Sequence, residues 1–215
     1  MIRDEILGLW ELSNDLLYHK IPKEKINYYI SASLDAGKET AKLYQGKNIF
    51  ELCKEHQITI EYVKESKKNY GVSFRAQTEM DKSGVKIWIY EGSLKELSLN
   101  SSYKGRKAIS YEEALNIHLA HEFFHYTEYI NHSFVSDRLD EIVRLKLPLL
   151  TKKSHIQRCS EIAAHKFAKE MLQLNELPNI YDYFYLMHTG QMKETNFLEM
   201  IRNSEKLLGT WSEIC

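Results

Sequence analysis

The twenty residues from Tyr111 to Ile130 constrain this chain more than any other stretch, because their apolar members run all the way round a helix. Ser110-Tyr111-Glu112-Glu113 has the form of a capping box: Ser110 can accept from the amide three residues on, and Glu113 can reach back to the Ser110 amide. A helix is therefore predicted to start at Tyr111 and to run to about Ile130. Ala114, Leu115, Ile117, Leu119, Ala120, Phe123, Phe124 and Ile130 are not confined to one stripe, so other elements must cover the helix on most sides. The fold is expected to be assembled around it.

The polar residues of such a helix need a reason to be there. His121-Glu122-Phe123-Phe124-His125 places two imidazoles four residues apart, about 40° around the axis and about 6 Å along it, where they can share one tetrahedral ion. Glu122 falls beside that ion, in the position of a general base acting on a metal-held water. Shuffling this composition gives about a 4% chance of one HExxH, so the string needs context. His118 lies nearly in angular line with His125 but about 10 Å along the axis, too far for the same ion, and reads as a hydrogen-bonded structural histidine.

The length of 215 residues fits one domain, 1–215. A formal charge of -1 gives no general attraction to nucleic acid or to an acidic membrane, and neither is expected as a partner. Cys53, Cys159 and Cys215 are scattered, with no CxxC, which points to reduced thiols and not to a disulfide framework or a thiolate metal site. The first residues lack the layout of a signal peptide and no apolar run is long enough to span a bilayer, so a cytoplasmic protein is expected.

Helix dominates the rest. Segments 2–17 and 26–44 have helical spacing, the second ending near Gly46, and Asn48 can cap a third helix. Ile58–Val63, Gly71–Arg75 and Val85–Tyr90 have strand character, separated by polar loops at 64–69 and 81–84, and helix resumes from Ser93. This predicts an α+β fold, mostly helical, with a small three-stranded sheet preceding the HExxH helix. The third strand, as an exposed edge, would pair with an extended peptide through Ile87, Trp88 and Ile89; as an internal strand it would have no such role.

A catalytic zinc ion needs a third protein ligand and one open position. HExxHxxGxxH is not met, since Glu128 and Asn131 occupy the glycine and histidine positions and His132 is one residue out of register. The candidates further on are Glu128, Asp137, Asp140, Glu141, His155, Glu161 and His165. Glu161 stands out: on a helix expected over 154–174 it shares an angular line with Ala164, Ala168 and Leu172, and a carboxylate turned inward among small apolar residues needs a cation or strong donors. A zinc ion would be that partner; a salt bridge to Arg158 is the alternative.

Two stretches resemble the ImmA/IrrE-type metallopeptidases, gluzincins with a zincin-like fold. Leu119-Ala120-His121-Glu122-Phe123-Phe124-His125 is similar to that family's apolar-Ala-His-Glu-x-x-His. Glu161-Ile162-Ala163-Ala164-His165-Lys166-Phe167-Ala168 is similar to its Glu-x-x-Ala-x-x-Phe-Ala. The likeness covers roughly 26–177, leaving 1–25 as a helical extension and 178–215 as a C-terminal helical segment. It implies zinc on His121, His125 and Glu161, with Glu122 as the base, and cleavage of a protein substrate; some members cleave a helix-turn-helix repressor, which here would be supplied in trans. His165 departs from the family's usual Asn or Asp, and is expected either to hold a ligand histidine or to compete as a ligand. Tyr183, Tyr185, His155 and His188 are candidates to stabilise an oxyanion, with no assignment among them. The competing reading is a catalytically silent zincin-like binding module with a structural metal.

Overall fold

The structure is a computed structural model and describes residues 1–69, 72–82, 84–148 and 150–209; Gly71, at the start of a predicted strand, and Cys215 lie outside them. Helix α1 (Asp4–Ser13) is shorter than predicted, because Asp15 turns the chain by accepting from the Leu17 amide at 2.8 Å. Two short 3-10 turns lead into α2 (Ile26–Lys42), after which Gly46 adopts a φ of 79° that favours glycine. Asn48 caps α3 (Ile49–Glu55) as read, accepting from the amides of Phe50 and Glu51.

The sheet differs from expectation in a way that matters for function. Strand β1 (Ile58–Val63) is followed by a short antiparallel pair, β2 (Lys67–Asn69) and β3 (Val72–Phe74), and then by β4 (Ala76–Asp81) and β5 (Gly84–Tyr90). The three-stranded sheet has the order β1-β5-β4, with β1 parallel and β4 antiparallel to β5. The predicted member 71–75 is therefore replaced by β4. Ala76-Gln77-Thr78-Glu79-Met80-Asp81 has little intrinsic strand preference; pairing to β5 imposes it, turning Ala76, Thr78 and Met80 to the half-buried face. Strand β5 is central and not an edge. Its main chain is paired on both sides and Ile87 and Ile89 are fully buried, so the substrate-strand role read for Ile87, Trp88 and Ile89 does not hold.

Helix α4 (Glu91–Asn100) leads to α5 (Tyr111–Ile130), with the bounds read from its cap, and then to a single turn, α6 (Val135–Arg138). A hairpin absent from the predicted elements follows, β6 (Ile142–Leu147) and β7 (Leu150–Ser154), and then α7 (Arg158–Met171), α8 (Ile180–His188) and α9 (Glu194–Gly209). The architecture is mixed α+β.

Helix α7 lies between α2 and α5. Its approach to α2 depends on Gly37, where a Cβ would meet the Ala163 carbonyl oxygen at 2.2 Å and the Lys166 Cβ at 2.9 Å. On the α5 side, Phe123 and Phe124 pack on Phe167, and Ala164 and Ala168 are fully buried, so small residues let the two helices close up. The N-terminal helix is no appendage: Ile6, Leu7, Leu9, Trp10 and Leu12 belong to the main core, and Trp10 Nε1 donates to Ser204 Oγ of α9 at 2.8 Å. Among the described residues no helix is long and apolar enough to cross a membrane.

Candidate metal centre

The capping box at the head of α5 is formed, with Ser110 Oγ accepting from the Glu113 amide at 3.1 Å and Glu113 Oε2 accepting from the Ser110 amide at 2.7 Å. This fixes the start of the helix, and with it the face on which His121 and His125 fall one turn apart. Their Nε2 atoms are 3.1 Å from each other. Glu161, from the first turn of α7, brings Oε2 to 3.3 Å from His121 Nε2 and Oε1 to 3.6 Å from His125 Nε2. Tetrahedral zinc with bonds of about 2.0–2.1 Å separates its ligand atoms by about 3.3 Å, and the three distances bracket that value. The donor set, two imidazoles and a carboxylate, suits such an ion with a fourth position left open. Glu161 keeps 36% of its side-chain surface exposed, against 14% for His121 and 21% for His125, so solvent reaches the centre from the α7 side.

Electrostatics bind the three groups together. Burial alone would push the Glu161 carboxyl up, but hydrogen bonds and positive charge from His121 and His125 outweigh it and hold the group well below the usual carboxylate range. Burial would lower the His125 imidazole; hydrogen bonds to Glu128 and Glu161, together with the charge of Glu161 and Glu122, instead raise it to about 10. Arg158, the alternative partner for Glu161, pairs with Glu11 at 2.9 Å instead.

Of the other third-ligand candidates, Glu128 is the informative one. It is buried and accepts from His125 Nδ1 at 3.1 Å, from the Val135 amide at 2.7 Å and from Ser160 Oγ at 2.8 Å. Donation from Nδ1 to Glu128 leaves Nε2 as the ring nitrogen that faces Glu161 and His121, the one open to an ion once its proton has left, which is what a carboxylate behind a ligand histidine achieves. Glu128 sits one turn after His125 on an enclosed helix, and that spacing was the available signal. His165 does not do this work. Its ring packs on that of His121 with centroids 4.7 Å apart, its Nε2 lies 3.9 Å from Glu11 Oε2, and its buried Nδ1 has no hydrogen-bond partner among the described residues. Four residues after Glu161, it lies beside His121 without hydrogen bonding to it and outside the group of three converging ligand atoms. Asp140 pairs at the surface with Lys25 at 2.6 Å, and Glu141 and His155 face each other at 3.8 Å.

Glu122 is held by a residue that sequence reading missed. The Thr78 amide donates to Glu122 Oε2 at 2.8 Å and Thr78 Oγ1 donates to the same oxygen at 2.7 Å, which ties the carboxylate to β4. Nothing in the sequence marked Thr78, since its position follows from the unexpected strand. Glu11 was also missed: it is buried on α1, between Arg158 and His165, where burial raises its carboxyl and Arg158 opposes that shift. One carboxylate inside Ile6-Leu7-Gly8-Leu9-Trp10-Glu11-Leu12 was the signal there. His118 is the structural histidine expected, its Nδ1 2.7 Å from the Ala114 carbonyl; burial, aided by the charge of Arg75, lowers it to about 3. The oxyanion candidates are engaged elsewhere. Tyr183 packs on Trp10, Tyr185 donates to Glu96 at 3.4 Å, and His188 Nδ1 is 3.2 Å from Ser102 Oγ. No protein-family model, curated protein or solved structure matches this chain.

Proposed function

We propose that this protein is a zinc-dependent endopeptidase of the gluzincin type, akin to the ImmA/IrrE metallopeptidases, that cleaves a protein substrate. The observation that carries the reading is the convergence of His121 Nε2, His125 Nε2 and the Glu161 carboxylate at 3.1, 3.3 and 3.6 Å, with the Glu122 carboxylate fixed alongside by Thr78. A structural metal site has no use for an immobilised carboxylate that is not a ligand, and would ordinarily fill its fourth position with a side chain.

His121, His125 and Glu161 would hold the zinc ion, which would supply Lewis acidity for the scissile carbonyl and for the attacking water. Glu128 holds His125 in the tautomer that presents Nε2. Glu122 accepts the proton of the attacking water and returns it to the leaving amine nitrogen; with Oε2 taken by Thr78, Oε1 is the oxygen that does so. Strand β4 stands at one end of the sheet order and carries Thr78 against Glu122, so an extended substrate would pair along β4 and not along β5.

The test uses zinc-loaded protein with a quenched peptide library and, on co-expression, a small helix-turn-helix repressor. Glu122→Gln should keep the metal and lose about 10²–10⁴-fold in rate, the usual contribution of a general base. Cleavage that persists in that variant removes Glu122 from its role, and a metal-loaded wild type that cleaves nothing leaves a metal-binding module.

A further inference from the structure

The β6–β7 hairpin takes no part in the candidate metal centre and combines exposed apolar residues with exposed basic ones. Ile142 is buried at its base, and Lys20 Nζ donates to the Arg144 carbonyl beside it. Beyond that point Val143, Leu145, Leu147 and Leu150 are 43%, 42%, 50% and 45% exposed. Leu147 is paired with Leu150 next to the turn, Lys146 with Thr151, Leu145 with Lys152 and Val143 with Lys153. Paired residues share a face, so Leu145, Leu147 and Leu150 lie on one face that is apolar at the tip and carries Lys152 beside Leu145 further back. Arg144, Lys146, Lys152 and Lys153 are exposed, the segment Ile142–Ser154 has no acidic residue, and none of the four cations has a carboxylate partner among the described residues. A chain of net charge -1 thus carries four uncompensated positive charges on one small element.

The combination selects the occupant. Leucines that project from a two-stranded ribbon offer far less than the roughly 800 Å² per partner of a specific protein interface. A second copy would set the same four cations against these. Nucleic acid would take the cations but leave the leucines in water. An anionic bilayer accepts both and asks for no shape complementarity. The spacing also suits it: Lys152 and Lys153 lie two and three residues behind Leu150, about 7–10 Å along the strand, the depth over which interfacial segments bury apolar groups below the headgroups. We propose that the β6–β7 hairpin docks the protein on an anionic membrane surface, with Leu147 and Leu150 entering first, Leu145 behind them, and Arg144, Lys146, Lys152 and Lys153 against the acidic headgroups. This peripheral attachment does not depend on the chemistry of the metal centre.

Co-sedimentation of the full chain with phosphatidylcholine vesicles, with and without phosphatidylserine, tests it. Binding is expected only to vesicles that contain phosphatidylserine, and should weaken with added salt. Lys152→Glu with Lys153→Glu should weaken partition roughly 25-fold or more, at about fivefold per cation removed. Leu147→Ser with Leu150→Ser should weaken it roughly tenfold or more while far-ultraviolet circular dichroism and zinc content stay unchanged. No binding to either vesicle, or binding that both double variants retain, overturns the proposal. So does binding to duplex DNA that survives the leucine substitutions in a protein that ignores vesicles.

Discussion

Replacing Glu128 separates the metal site from ordinary core architecture. In Glu128→Ala, two buried groups, the Val135 amide and the Ser160 hydroxyl, lose their acceptor, and His125 Nδ1 loses the carboxylate that fixes its tautomer. Each orphaned buried group costs about 1–3 kcal/mol, so the two give ~2–6 kcal/mol, enough to unfold a domain of ordinary stability at the upper end. Glu128→Gln is the sharper probe. It keeps the shape and one acceptor oxygen, but that oxygen cannot serve all three donors, and the amide NH₂ then faces a donor. Stability should fall by about 1–3 kcal/mol, and zinc affinity by about 10–100-fold, the usual loss when the group behind a ligand histidine is removed. Competition for zinc against a chromophoric chelator, run beside urea unfolding of the metal-free protein, measures both. A folded Glu128→Gln variant whose zinc affinity stays within about twofold of wild type would refute the assignment, since the support typically amounts to tenfold or more.

Three further outcomes follow from the same geometry. With the His125 imidazole raised to about 10 from an ordinary 6.5, its contribution to the metal-free fold is complete below pH 6.5 and is lost as the pH rises through about 10; zinc must displace that proton, so affinity should rise about tenfold per pH unit in this window, and a pH-independent titration would contradict it. Thr78→Val removes the hydroxyl donated to Glu122 Oε2 but keeps the amide, and should cut kcat/KM about tenfold with zinc content unchanged, while Thr78→Ser restores most of the rate; a loss of zinc in the valine variant would show that Thr78 supports the fold and not the base. Gly37→Ala places a methyl group 2.2 Å from the Ala163 carbonyl oxygen, and should lower stability by about 3 kcal/mol and the melting temperature by roughly 6–12 °C in a thermal scan.

What could be read from the sequence was what local chemistry dictates. The capping box set the start of α5 to the residue, the HExxH spacing put His121 and His125 on one face a turn apart, and an inward carboxylate among alanines marked Glu161, because burying it without a partner is costly. What was hidden depends on pairing across the chain. Thr78 reaches Glu122 only because a segment of weak strand preference is recruited by β5, and the same recruitment makes β5 central and removes Ile87, Trp88 and Ile89 from any edge. The hairpin at Ile142–Ser154 was legible in part, since Val143-Arg144-Leu145-Lys146-Leu147 alternates apolar and basic residues before Pro148, but its partner run Leu150–Ser154 has no such period. Glu11 comes from a segment outside the family-like stretch, and its place between Arg158 and His165 follows from the packing of α1.

The central claim is that His121, His125 and Glu161 hold one zinc ion. Zinc content by atomic emission, after dialysis against a chelator that wild type withstands, measures it directly in wild type, Glu161→Ala and Glu161→Gln, with circular dichroism to establish folding. The account predicts one zinc per wild-type chain and little or none in either folded variant. Equal stoichiometry in all three would contradict it and take Glu161 out of the site.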